Sequence, residues 1–441
     1  MLEGYSGKIR DYLVSKNIDV GDIIEVSTPY GIYKGRLMPR YEIYESDYIT
    51  LKLPNGYNIG IKFDEKVSVN LVQKKEEEQK IQVKAVQEKN GKTVLSYIAT
   101  GGTIMSRIDY KTGAVKPSFN VEDLADVVPD AISHSTTRMI ELMKILSEDI
   151  TCEHWKKISH AVYEEIKNGS KGIIITHGTD TMGYTSAALS FSLINLPHPV
   201  LLVGAQRSLD RPSSDAALNL YSAHHFALKS EYSGVFVVMH GTTSDEFCVV
   251  HRGTRVRKMH TSRRDAFKTI NSRIVAKILK GNIVYEDTEG LLKRDDSREI
   301  KLMNNFENKV FLLKTFASMP QEASDIITYL VDKGYRGILI EGTGLGHVPH
   351  SIIDAIKYAT DKGVIVAIAS QCLYGRINMH VYENGRLLIK SGAIGCEDML
   401  PETAFVKLMW VLGNYKDMEE AKRMFLTNIA GEISYRLEYL E

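Results

Sequence analysis

Two short segments bring hydroxyls and glycines together in a pattern that suits attack on a carbonyl. Thr100-Gly101-Gly102-Thr103-Ile104 and His177-Gly178-Thr179-Asp180-Thr181 each follow an apolar, β-branched run. The glycines permit tight turns and close backbone approach, which frees N–H groups to point at an anion or an oxyanion. Each segment also delivers a threonine hydroxyl, a poor nucleophile until a neighbouring group removes its proton. The basic segment RGTRVRKMHTSRRDAF (252–267) offers Lys258 among arginines. A lysine held among cations, or partly desolvated, gives up its proton more readily and can act as a base near neutrality. Asp180 is the group that would hold and tune it. On spacing alone, a solvated basic strip is the commoner meaning of such a run, and it stays open here.

Two further motifs invite chemistry and are set aside. His177 suggests a Ser-His arrangement, but a histidine at a strand end is often structural. Gly342-Thr343-Gly344-Leu345-Gly346 has the spacing GxGxG rather than the dinucleotide-binding GxGxxG. The four cysteines, Cys152, Cys248, Cys372 and Cys396, show no CxxC spacing and read as reduced thiols without a metal or disulfide role.

The elements that must position these residues fall into three regimes. From about Asp19 to Leu71, short alternating runs are separated by turn residues such as Pro29-Tyr30-Gly31 and Pro54-Asn55-Gly56. Five short strands at this spacing predict a small SH3-like β-barrel, taken as a domain over residues 1–74. Residues 75–92 are dense in Lys and Glu with no aromatic residue to bury, and read as a charged linker. From Thr93 onward, β-branched runs alternate with helical text: TVLSYIA, GIIIT, VLLVG, GVFVVM, then KVFLLK, GILIEG and VIVAIAS. Continuous apolar runs fit strands buried on both faces of a parallel sheet. The less apolar stretch around 286–305 splits the series into two doubly wound parallel-sheet α/β domains, 93–290 and 305–441. Ligands bind beyond the carboxyl ends of such strands, where the threonine segments lie. The loop from Met105 to Pro117 has no long apolar run to anchor it and reads as a lid over that end.

Composition narrows the function class. Lys plus Arg and Asp plus Glu each number 55, so the formal net charge is zero, and no nucleic-acid partner is announced by charge. The N-terminal text lacks an apolar signal core, and no stretch approaches the length of a membrane span, so a cytoplasmic location is expected.

The four segments TGGTI, HGTDTM, GAQR and TRVRK, in that order and approximate spacing, resemble the type I L-asparaginases and glutaminases, over roughly Leu95 to the C-terminus. The resemblance implies Thr103 as nucleophile, with Thr179, Asp180 and Lys258 completing the catalytic group. It implies that Ser147 binds the substrate α-carboxylate, with Glu148 standing where the family usually has a glutamine. It also implies that the backbone at Ala205 faces the side-chain amide, and that Tyr110 matches the tyrosine of the loop after TGGT. With its barrel and the segments SQCLYGRINM (370–379) and CEDMLPETAFVKLMWVLGN (396–414), the whole chain most resembles the D-subunit family of archaeal glutamyl-tRNA(Gln) amidotransferases. That resemblance implies glutamine hydrolysis that supplies ammonia to misacylated glutamyl-tRNA(Gln). A partner, the amidotransferase E subunit, would hold the tRNA together with ATP and Mg, and the present chain would carry no cofactor or metal. A homodimer within a heterotetramer is expected by the same analogy. A free-standing L-asparaginase and a non-catalytic RNA-binding module are the alternatives, and the preference between glutamine and asparagine is left open.

Overall fold

The computed structural model describes residues 2, 5–38, 47–53, 58–74, 93–102, 104, 106–108, 115–117, 135–208 and 213–436. Thr103, Tyr110 and the expected linker at 75–92 lie outside the described residues.

Helix α1 (Gly7–Ser15) opens the chain and buries Ile9 and Leu13. Strands β1 (Ile23–Thr28), β2 (Gly31–Leu37), β3 (Tyr48–Lys52), β4 (Asn58–Lys62) and β5 (Ser68–Gln73) follow. They form one antiparallel five-stranded sheet in the order β4-β3-β2-β1-β5. Alternate residues Ile24, Val26, Ile49, Leu51 and Val69 point inward against Ile9 and Leu13, as a period of two requires.

The α/β part begins with β6 (Val94–Gly101), followed by β7 (Ser106–Ile108) and β8 (Val115–Pro117). These two flanks of the segment read as an unanchored lid pair antiparallel, with Arg107 opposite Lys116. Then come β9 (Thr136–Ile145), α2 (Cys152–Lys167), β10 (Ile173–Thr176), α3 (Met182–Ser192), β11 (Pro199–Val203), α4 (Ala216–Lys229) and β12 (Tyr232–His240). Strands β13 (Cys248–Arg252), β14 (Val256–Lys258), β15 (Phe267–Thr269), β16 (Ala276–Leu279) and β17 (Asn282–Tyr285) complete this unit. The main sheet runs β17-β16-β13-β12-β11-β10-β6-β9.

The β9-to-β12 half of this sheet is parallel, as expected, but β12, β13, β16 and β17 pair antiparallel, so the sheet is mixed. The reason is connection length. A parallel partner needs a crossover of a dozen residues or more, whereas the few residues between β16 and β17 allow only a hairpin. Within the apolar run of β11, Leu201 and Val203 pack towards α4, while Val200 and Leu202 pack towards α2 and α3. Helices therefore cover both faces of the sheet, which is why these strands carry no polar alternation.

The stretch 286–305 is tied back to this unit. Leu292–Lys293 pairs with the start of β12, and Lys301–Leu302 pairs with Leu193–Ile194. A second, four-stranded parallel sheet follows, ordered β18 (Val310–Lys314), β19 (Gly337–Gly342), β20 (Ile365–Ser370) and β21 (Ile394–Gly395). Helices α5 (Ala323–Asp332), α6 (Ile353–Asp361) and α7 (Glu383–Lys390) connect its strands. Helix α8 (Pro401–Asn414) then packs between this sheet and α3, burying Phe191 with Val406, Met409 and Trp410. Helix α9 (Met418–Phe425) closes the apolar layer with Phe425. Among the described residues no helix is long and apolar enough to cross a membrane.

Candidate active site

The carboxyl ends of β6, β9, β10 and β11 converge, and they do so because their turns lack side chains where they meet. A Cβ at Gly102 would lie 2.3 Å from the backbone nitrogen of Gly178. One at Gly178 would lie 2.6 Å from Cβ of Ser147. Both distances are shorter than any real Cβ contact, and Gly102 also has φ +83°, so neither position accepts alanine without backbone movement. The GG and HG of the two motifs are the condition for stacking three strand ends in one place.

The turn after β10 is fixed from within. His177 is buried, its Nδ1 lies 2.6 Å from the carbonyl of Gly178, and its Nε2 lies 2.9 Å from the hydroxyl of Thr185. That hydroxyl in turn accepts a hydrogen bond of 3.1 Å from the indole of Trp155. A carbonyl can only accept, so Nδ1 carries the hydrogen and Nε2 accepts from Thr185. Burial pushes the histidine down to about 4, so the ring is neutral and its two nitrogens are both engaged. His177 holds the turn and has no free nitrogen with which to serve as a base.

Thr179 and Asp180 project from this turn to meet Lys258 at the end of β14. The ammonium donates to Thr179 Oγ1 at 2.8 Å and to Asp180 Oδ1 at 2.7 Å. The lysine side chain is 13% exposed and the aspartate 67%, so the pair is open on the carboxylate side only. Among the described residues, the threonine in direct contact with the lysine is Thr179. Such a contact can carry a proton between hydroxyl and amine, and it leaves Asp180 an oxygen for a cationic ligand.

Ser147 is buried on a single 3-10 turn, Ser147–Asp149, directly after β9. Its carbonyl accepts the hydroxyl of Thr181 at 2.7 Å, which locks the β9 end to the β10 turn. Glu148, next on the same turn, is exposed. Ala205 is fully buried in the turn after β11. A Cβ at the preceding Gly204 would lie 2.8 Å from Cγ2 of Thr179, so this turn rests on the threonine. The structure thus brings Ser147, Thr179, Asp180, Lys258 and the Ala205 turn together. Gly102 reaches the same cluster of strand ends through its approach to Gly178.

Some residues around the site carried no signal that sequence reading used. Arg255, three residues before Lys258, is 1% exposed and donates to Asp398 at 3.0 Å, to the Gly431 carbonyl at 2.9 Å and to Ser434 at 2.8 Å. Arg257 pairs with Glu402 at 3.2 Å, and burial pushes that carboxyl up from its ordinary range. Thr403 donates to the carbonyl of Thr254 at 2.9 Å. The strand that carries the lysine is therefore stapled to α8 and to the tail beyond α9. The alternation of arginines in TRVRK was the available clue: Arg255 and Arg257 find carboxylates and Lys258 finds the threonine. The GTGLG segment forms a closed turn in which the N–H of Thr343 bonds the carbonyl of His347 at 2.8 Å and the N–H of His347 bonds the carbonyl of Thr343 at 2.9 Å. These two N–H groups are not available to a phosphate.

Comparison with known proteins gives the family and the fold. The family profile "Asparaginase, N-terminal" matches residues 94–289, and "Glutaminase/Asparaginase C-terminal domain" matches residues 309–425. "GatD N-terminal domain" matches residues 18–72. The D subunit of the glutamyl-tRNA(Gln) amidotransferase of Pyrococcus furiosus is 49% identical over 97% of this chain and 98% of its own length. Its counterpart in Methanothermobacter thermautotrophicus is 45% identical over 98% of each chain. Among solved structures, the thermostable L-asparaginase from Thermococcus kodakarensis superposes with a TM-score of 0.70 at 29% identity, covering 78% of this chain and all of that one.

Proposed function

Because the chain belongs to the family of glutamyl-tRNA(Gln) amidotransferase D subunits, with a catalytic part of the asparaginase kind, we propose how this site releases ammonia from glutamine. The observation that carries the reading is the single contact set at Lys258, 2.8 Å from Thr179 Oγ1 and 2.7 Å from Asp180 Oδ1, at the meeting point of the strand ends.

In this reading Thr103 attacks the side-chain amide carbon, and its proton leaves through Lys258 or an intervening water. Backbone N–H groups of the glycine turns stabilise the oxyanion, each worth about 3 kcal/mol. The C–N bond breaks, ammonia departs with the transferred proton, and an ester of Thr103 remains. Water then adds to that ester, with the Thr179–Lys258 pair taking its proton; the acyl–oxygen bond breaks, the proton passes back to the Thr103 oxygen, and glutamate is released. Asp180 and Glu148 supply negative charge for the substrate ammonium, Ser147 receives the α-carboxylate, and the backbone at Ala205 faces the amide. Tyr110 covers the substrate. The chemistry is carried by these side chains and backbone groups, with no metal or cofactor bound to this chain.

The ammonia serves a misacylated glutamyl-tRNA(Gln) held mainly by the partner, the amidotransferase E subunit, where ATP and Mg are bound. The assembly is a heterotetramer built on a homodimer of this chain, in the cytoplasm. The meander order of the N-terminal sheet, with β5 returning beside β1, supports an SH3-like barrel. The test is a glutaminase assay, with asparagine as control, run alone and with partner and misacylated tRNA. Ammonia release from glutamine that rises with partner and tRNA is the expected result. High activity on asparagine, indifferent to both, would make the chain a free-standing asparaginase.

A further inference from the structure

A chain of hydrogen bonds runs behind this site, from the protein surface to the turn that carries Ala205. Its inner end is Asp215, fully buried immediately before α4. The Asp215 carboxylate accepts the backbone N–H of Gln206 at 2.9 Å and of Arg207 at 3.0 Å. One helical turn on, Asn219 donates its amide to the carbonyl of Gly204 at 2.9 Å and to Asp215 at 3.2 Å. Both donations fix the Asn219 oxygen towards His240, whose Nδ1 lies 2.6 Å away. The other ring nitrogen lies 3.1 Å from a carboxylate oxygen of Asp245, and Arg264 donates to that same oxygen at 2.7 Å. Arg264 also donates to the carbonyl of Ser213, just before Asp215.

Two features separate this chain from ordinary packing. The first is its chemistry. Both nitrogens of the buried His240 ring are engaged, one by the Asn219 amide oxygen and one by the Asp245 carboxylate, so the ring bridges the buried amide to the exposed acid. Hydrogen bonding to His240, with the Arg264 charge beside it, holds the Asp245 carboxyl below the usual range. The Sγ of Cys248 completes the surroundings, 3.4 Å from the Asn219 oxygen. The second is its path. Arg264 belongs to the hairpin loop that follows Lys258, Lys258 touches Thr179, and Thr179 lies against Gly204. The chain therefore closes a circuit between the two sides of the site. Asp245 is the exposed member, at 67%, while His240 is fully covered.

We propose that Asp215, Asn219, His240 and Asp245 form a positioning relay. It sets the backbone at Ala205 in register with Lys258 and exposes the Asp245–Arg264 contact, where movement of the 259–264 loop alters turnover. The inference rests on the reading of the Ala205 turn and Lys258 given above. None of the four residues touches the reacting atoms; they act through the two backbone N–H groups and the Gly204 carbonyl that they hold.

The test uses Asp245→Ala and Asp245→Asn in the assembled complex with glutamine. The alanine variant removes the acceptor for His240 and Arg264 at an exposed position, so folding is expected to be intact. Its kcat should fall about tenfold with KM within about twofold, because positioning acts in the transition state. Amide hydrogen exchange at Gln206 and Arg207 should quicken, with the core strands unchanged. Asp245→Asn keeps an oxygen for the ring and should restore most of the lost rate. Native kcat and native exchange at 206–207 in Asp245→Ala would overturn the relay, as would a raised KM at unchanged kcat. Lys258→Met serves as the control for the parent reading: if it stays active, that reading fails, and the exchange measurement alone decides the relay.

Discussion

At the scale of single residues, the site divides its labour between a lysine with two partners and a histidine with none to spare. Lys258→Met and Asp180→Asn should each abolish turnover, but they should differ in binding. Loss of Asp180 removes the negative charge that faces the substrate ammonium, so glutamine affinity by calorimetry should fall further in Asp180→Asn than in Lys258→Met. Equal affinities would move the ammonium contact to Glu148. His177 carries a different prediction. Its folded-state value near 4 lies below the ordinary 6.5, so the unfolded chain binds the proton more readily than the native one. Stability is therefore fully present above about pH 6.5 and is lost as pH falls towards 4, by up to roughly 3 kcal/mol for this one ring. Denaturant titrations from pH 7 to 4 should show that slope, and His177→Gln should flatten it by one proton.

At the scale of elements, the strand ends meet only because glycine leaves room. In Gly178→Ala the new methyl would overlap Ser147, so the serine must be displaced against the Thr181 bond that holds its turn. The displaced serine is the expected carboxylate ligand, so KM for glutamine should rise about tenfold or more while kcat falls less. A variant whose KM is native would free Ser147 of that role. The mixed sheet belongs to the same scale. Strands β6 and β9–β12 wrap helices and stay parallel, while the strands after β12 return as hairpins and carry Lys258 back across the carboxyl ends. A wholly parallel sheet would have sent that segment through another helix instead.

At the scale of the molecule, the lysine strand is held by the second α/β unit. Arg255 and Asp398 are both buried, and the chain between them spans 143 residues. Removing one partner of such a pair leaves an uncompensated charge, at a cost of about 3–5 kcal/mol. Asp398→Asn should lower unfolding free energy by that order and weaken glutaminase turnover in parallel, measured by denaturant titration and by ammonia release. Native stability in this variant would mean that the apolar layer of Phe191, Met409 and Trp410 alone holds the two units together.

Much of this architecture was written locally. The apolar runs of β6, β10, β11, β12 and β18–β20 announced themselves because strands buried on both faces need no polar alternation. The glycine-threonine turns were equally plain, since tight turns leave few residue choices. Strand β9 was missed because TTRMIELMKI mixes charges into an edge strand, where one side meets water. The antiparallel extension was missed because period-two text does not state the direction of pairing. The sequence by itself determined the α/β alternation, the turns and the residue types that face the strand ends. The tertiary structure alone decided that Thr179 touches Lys258, which arginines are spent on carboxylates, and that Asp215 and His240 stand behind the Ala205 turn. Those are contacts between segments about ten to well over a hundred residues apart, and propensity, which acts over a few neighbours, carries no term for them.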